Sequence, residues 1–277
     1  MDITLSNILY RLKYFSKEHI TELHIRWVEP IGVTMLKSYV EACDIDISTI
    51  KWRYARYMIN TPNLVGETYT SIESVSDRNH IDDIQNDLSK TIMKNFLELK
   101  KNDQQDIKSY FQYMISEIMN NVADHSQSIG YTMAQYYPDK KKIQVAISDF
   151  GVGFLHNLSK KYPELTTDKA AIKKAIEKGV TASNNYLYNG TQRNVGFGLF
   201  ALVEIIKELK GKVVIISNGG ALQLSNGVIT EKDISPAWKG TVVAFEFSQD
   251  NIEYSYEEMM NICRLEDKGD DEEDFFV

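Results

Sequence analysis

The spacing of apolar residues changes repeatedly along the chain, and each change predicts an element. Glu22 to Val28 alternates apolar and polar positions, as a half-buried strand does. Pro30 and Gly32 mark a turn, and Val33 to Ala42 then reads as a helix. Arg53 to Met58 predicts another helix stopped near Pro62, with a strand around Glu67 to Ile72. From His80 to Leu99, residues Ile81, Ile84, Leu88, Ile92 and Phe96 recur at helical spacing. The polar run Lys100-Lys101-Asn102-Asp103 interrupts this pattern and offers Asp103 as an N-cap. The next helix runs to about Asp124 on a stripe of Ile107, Phe111, Met114, Ile118 and Val122.

Strands are expected over Tyr131 to Tyr137 and Ile143 to Ser148, joined by a turn at Pro138-Asp139-Lys140. Asp168 to Lys178 reads as helix, and Thr181 to Val195 as a long polar loop. Phe197 to Leu209 reads as an apolar helix. Strands follow at Lys212 to Ser217, Ala221 to Leu224 and Thr241 to Phe247. The stretch Glu266 to Asp274 is almost wholly acidic and predicts a disordered, solubilising tail, with docking to a basic partner as the alternative.

Composition narrows the class. The chain has 277 residues, 43% hydrophobic and 25% charged, which suits one large globular domain or two modest ones. A net charge of -8 argues against general nucleic-acid or anionic-membrane binding. No apolar run has the length of a membrane span, and the N-terminus lacks a secretory pattern. A cytoplasmic protein is expected, with Cys43 and Cys263 as two buried free thiols.

Three segments carry candidate chemistry. Glu117, Asn121 and Asp124 fall three and four residues apart, so they share one helix face beside the apolar stripe. An Asn carbonyl there suits magnesium carrying phosphates, and a Glu one turn earlier suits activation of a water. The plainer reading is a solvated helix face. Asp149-Phe150-Gly151-Val152-Gly153 ends an apolar strand, where a carboxylate can accept from an exocyclic amine and the glycines allow close approach of a flat ligand. The plainer reading is an Asx turn. Gly196-Phe197-Gly198-Leu199 opens a helix, where free amides and the helix dipole favour phosphate. The plainer reading is a loop-to-helix junction. Neither a Rossmann fingerprint nor a Walker-type loop is present.

Together, residues from about 105 to 248 resemble the gyrase, chaperone, histidine kinase and MutL (GHKL) ATPase superfamily. Glu117-x-x-x-Asn121, continuing through Asp124, His125 and Ser126, resembles its N box, and Asp149-x-Gly151-x-Gly153 its adenine-binding box. Ala175 to Thr181 is similar to the approach to its ATP lid. Gly196-x-Gly198-Leu199 resembles its second glycine box, and Lys239-Gly240-Thr241 its final Gly-Thr strand. The resemblance implies an α/β (α+β) fold, a Bergerat-type two-layer sandwich with helices on one face of a mixed, mostly antiparallel sheet. It implies ATP and Mg2+ as ligands, with Asn121 ligating magnesium and Glu117 as general base. Asp149, Gly151, Gly153 and Thr241 would form the base pocket, while Gly196, Phe197, Gly198 and Leu199 would hold phosphates. Asp124 is counted with the nucleotide-binding residues. Arg193 could reach a phosphate or be a plain loop charge.

Departures refine the expectation. His19, His24 and His80 lack the setting of a histidine kinase's acceptor, and roughly 30 residues after the Gly-Thr strand are too few for a transducer domain. The organisation expected is an N-terminal domain over 1–100, the ATPase domain over 101–263 and a tail over 264–277. The N-terminal part resembles STAS domains through the strand Glu22 to Val28, the turn Glu29-Pro30-Ile31-Gly32-Val33 and the following helix. Ile31 stands where that family has a phosphoacceptor Ser or Thr, so an unrelated α/β cap is the equal alternative. The function expected is an ATP-Mg binding regulator with slow ATPase or protein serine/threonine kinase activity, related to anti-sigma-type kinases. Its N-terminal domain would recognise a protein partner, and a homodimer is left open. The alternative is a nucleotide-gated interaction protein without productive catalysis.

Overall fold

The computed structural model describes residues 1–52, 67–180 and 198–265. The expected helix over Arg53 to Met58, the loop from Thr181 to Val195 with Arg193, Gly196, Phe197 and the acidic stretch from Glu266 lie outside the described residues. The chain begins with β1 (Asp2–Ile3), α1 (Ile8–Arg11), α2 (Lys17–Ile20), β2 (Trp27–Val28) and α3 (Pro30–Ala42). Next come β3 (Glu73–Val75), α4 (Ile81–Met93) and the long α5 (Lys101–His125). The hairpin β4 (Gly130–Tyr137) and β5 (Lys142–Asp149) leads to α6 (Gly153–Leu158), α7 (Asp168–Ala175) and α8 (Gly198–Glu208). The remaining elements are β6 (Lys212–Ser217), β7 (Gly220–Ser225), β8 (Val228–Asp233), β9 (Thr241–Ser248) and α9 (Tyr256–Leu265).

Seven strands form one sheet in the order β3-β4-β5-β9-β6-β7-β8, and every neighbouring pair is antiparallel. Strands β1 and β2 form a separate parallel pair. The fold is a mixed α+β sandwich, as the sequence leads one to expect. Alternation of side chains explains its layering. Ile143, Val145 and Ile147 of β5, with Val243, Phe245 and Phe247 of β9, join the core under α4, α5, α8 and α9. Their neighbours Ala146, Val242 and Ala244 face the other way, into a second cluster with Ile3, Leu5, Ile8, Ile31 and Met35. The small residues on that face let α3 lie close to the sheet, so residues 1–52 cover it. The sheet is thus covered on both faces.

Helix α3 is apolar almost all round because it is enclosed by the sheet and by the α1–β2 segment. A polar network fixes its entry. The buried Glu29 accepts from the Leu5 amide at 2.7 Å and from Gln144 Nε2 at 2.8 Å. Gln144 also donates to Glu246, which is paired with Lys142 at 2.6 Å and Lys212 at 3.0 Å. A buried carboxylate that meets donors in one geometry gives the docking a definite register. The expected boundary at residue 100 is crossed by the sheet: β3 pairs with β4, and Ile81, Ile84, Leu88 and Ile92 share a core with α5.

Several expected boundaries shift. The strand over Glu22 to Val28 contracts to Trp27–Val28, because its partner β1 has only two residues to pair. The strand near Glu67 to Ile72 gives an isolated bridge, Tyr69 to Gln135, and the ladder lies at Glu73–Val75. Lys100, not Asp103, occupies the N-cap of α5; Asp103 lies in the first turn, where its charge complements the helix dipole. Helix α4 ends at Met93 and continues as a 3-10 turn, Lys94–Phe96. Helix α7 stops at Ala175, short of Lys178. Cys263 is buried, but Cys43 is only half-buried. Among the described residues, no helix is long and apolar enough to cross a membrane.

Candidate functional site

Strand parity decides where the candidate residues point. Asp149 ends β5 on the same face as Ile147, and Thr241 starts β9 on the same face as Val243. Both therefore face the helices. They meet Ile118, Asn121, Val122 and His125 of α5 across a cleft that opens to solvent. Gly153, Phe154 and Asn157 of α6 close one side of it.

Asp149 is buried at 1% exposure. Its Oδ1 accepts from the Gly151 amide at 2.8 Å and the Thr241 amide at 3.2 Å. Burial pushes its carboxyl up to about 6, opposed by hydrogen bonds from both amides and the Thr241 hydroxyl. A carboxylate offers about four acceptor positions, so one remains for a donor entering from the cleft. The turn after Asp149 is held on every side. Val152 N donates to Ser126 O at 3.0 Å, Phe154 N to Ser217 Oγ at 2.8 Å, and Asn218 Nδ2 to Val152 O at 3.1 Å.

The glycines meet distinct demands. Gly153 has φ +74, a backbone region that side chains disfavour. Gly151 passes so close to α5 that an added Cβ would lie 2.0 Å from the Ser126 carbonyl oxygen. That oxygen is fixed by the Val152 amide and cannot yield cheaply. Gly151→Ala is therefore expected to destabilise the fold by about 3 kcal/mol or more, the upper range of overpacking, read as a lower urea midpoint.

Glu117 and Asn121 lie one turn apart on α5, and the start of α8 sits over both. A Cβ on Gly198 would be 2.9 Å from Glu117 Oε2 and 3.9 Å from Asn121 Nδ2. The positive end of the α8 dipole is thereby brought beside these two polar side chains. Burial raises the Glu117 carboxyl to about 7, with the Arg78 cation pulling it back. His125 is held below its ordinary value, chiefly by burial.

The candidate residues thus divide. Asn121, Asp149, Gly153 and Thr241 line the cleft, Gly151 shapes the turn behind it, and Gly198 borders Glu117 and Asn121. Asp124 is not among the cleft-lining residues; both its oxygens are clasped by the Arg78 guanidinium. Leu199 is buried in the core beneath the helices, which makes it a packing residue. Gly196 and Phe197 lie outside the described residues. Sequence reasoning placed Ser126 at the end of the N-box segment without a role, and missed Phe154, Asn157, Ser217, Asn218 and Trp238. Of these, only Asn218 followed by Gly219-Gly220 carries a local turn signal.

No group of three or more His, Cys, Asp and Glu gathers to hold a metal among the described residues. The lone amide oxygen of Asn121 fits a cation that arrives with its other ligands on phosphates and water. The chain matches no protein-family model, and a search of curated proteins finds no significant match.

Proposed function

We propose that the cleft binds ATP with magnesium, and that the chain is a regulator with slow ATPase or protein serine/threonine kinase activity of the GHKL type. The observation that carries this reading is the convergence of three distant segments. Asp149 and Asn121 both line the cleft, and Gly198 borders Asn121 and Glu117. The carboxylate of Asp149 would accept the adenine amine, with Thr241 at its side. The helix start at Gly198 would lie along the phosphates. Asn121 Oδ1 would complete the shell of a magnesium ion, whose charge offsets that of the phosphates.

Glu117 has a carboxyl near 7, so at neutral pH a substantial fraction is ionised and can accept a proton. It would take the proton of a water, or of a protein hydroxyl, as the oxygen attacks the terminal phosphorus and ADP leaves. Microcalorimetric titration of the full chain with ATP tests the reading. Saturable binding that disappears on chelating magnesium is expected, and absence of binding overturns it. Binding without ADP formation or phosphoryl transfer would instead identify a nucleotide-gated interaction protein.

A further inference from the structure

Residues behind the sheet also hold the backbone on either side of Asp149. Because side chains alternate, Ser148 points away from the cleft, into the N-terminal cover. There Ser38 of α3 donates to the Ser148 carbonyl at 2.9 Å, and the two hydroxyls lie 2.7 Å apart. Both serines are fully enclosed. On the other side, Trp238 Nε1 donates to the Asp149 carbonyl at 3.0 Å.

These two carbonyls belong to the peptide planes that flank the Asp149 Cα. Each plane is rigid, so fixing both fixes φ and ψ at Asp149 and aims its side chain. Trp238 is itself wedged by aromatic edges. Its ring meets Phe150 at 5.3 Å and Phe15 at 5.7 Å, and Phe150 meets Tyr39 at 5.8 Å. Phe15, Ser38 and Tyr39 all come from the N-terminal cover, and neither Ser38 nor Trp238 lines the cleft.

We propose that Ser38 and Trp238 are positioning residues for Asp149, so that the N-terminal cover sets the affinity and base preference of the pocket from behind. This rests on the nucleotide reading for its functional consequence, while the positioning itself is a property of the chain alone. A partner that loosens the cover would weaken nucleotide binding, and by linkage nucleotide would tighten the cover.

The test compares full-length Ser38→Ala and Trp238→Phe with Val40→Ala. Val40 belongs to the buried core of the same cover, so its truncation serves as the packing control. Two readouts are needed. The first is the ratio of ATP to GTP affinity, from competition against a fluorescent ATP analogue. The second is hydrogen exchange at the Gly151 and Thr241 amides in nucleotide-free protein.

Ser38→Ala and Trp238→Phe are expected to lower the ratio on the order of tenfold, the scale of ordinary site coupling, and to speed exchange at those two amides selectively. Val40→Ala should change neither. The proposal is overturned if both variants keep wild-type exchange at Gly151 and Thr241, or if Val40→Ala reproduces their effects. A wild-type chain that binds no ATP would remove the nucleotide reading, and the exchange data would still decide the positioning.

Discussion

Asp149→Asn is expected to weaken Mg·ATP binding about a hundredfold, equivalent to roughly 2.7 kcal/mol, within the range of a hydrogen bond to a charged group. The Asn carbonyl can still accept from the Gly151 and Thr241 amides, so the turn survives. Its amide group, a donor, then stands where a carboxylate oxygen stood and opposes the adenine amine. Loss of folding cannot produce the same result, because the sign of the pH effect runs the other way. The native carboxyl of Asp149 is raised from 3.8 to about 6. The native state therefore holds its proton more tightly than the unfolded chain, and stability present below about pH 4 is lost as pH rises through about 6. Removing the charge relieves that loss. The variant should melt no lower than wild type at pH 7.5 while its calorimetric affinity collapses; unchanged affinity would show that the base is not read at Asp149.

Glu117→Gln should have the opposite profile, sparing binding and removing turnover. A positioned general base contributes about 10²–10⁴ in rate, so phosphate release should fall by that factor with ATP affinity within a few-fold of wild type. In the wild type kcat/KM should climb with pH through about 7 and level above it, following deprotonation of Glu117 in the nucleotide-free protein. The same titration governs stability. The carboxyl rises from 4.5 to about 7 on folding, so stability is full below about 4.5 and lost as pH rises through 7. Gln abolishes this ionisation, and a higher melting temperature than wild type at pH 8 is expected, an instance of activity held against stability. Steady-state phosphate release and thermal melts across pH 5.5–8.5 check both. Wild-type-like turnover in the variant would remove Glu117 from the chemistry.

Where an element is long and its pattern is clean, the sequence reading agrees with the structure. The stripe Ile107, Phe111, Met114, Ile118 and Val122 is buried along α5, and the runs expected as strands β4, β5 and β9 are strands within a residue or two of expectation. The same periodicity placed Glu117 and Asn121 on one face. Tertiary context supplied the rest. Strand β8 carries Thr230, Glu231, Lys232 and Asp233 on an exposed sheet edge, where charge protects against further pairing, so no apolar pattern marks it. Helix α6 has six residues and little periodicity to detect. Asp124 follows the helical spacing, yet Arg78, 46 residues earlier, turns it into an ion pair. Ser38 and Trp238 act on Asp149 through backbone carbonyls, and such contacts leave no local trace in residue type.

The cradle of Asp149 has a consequence for synthesis of the chain. One of its amide donors, Gly151, is two residues away, but the other, Thr241, is 92 residues further on. At ribosomal rates of about 5–20 residues per second, roughly 5–18 s separate the emergence of the carboxylate from that of its second donor. During that interval β5 can pair with β4, yet its other edge waits for β9. A nascent chain in this state carries an open, strongly apolar strand edge of the kind that chaperones recognise. The cleft is thus among the last features of the molecule to be completed, even though most of its lining was translated early.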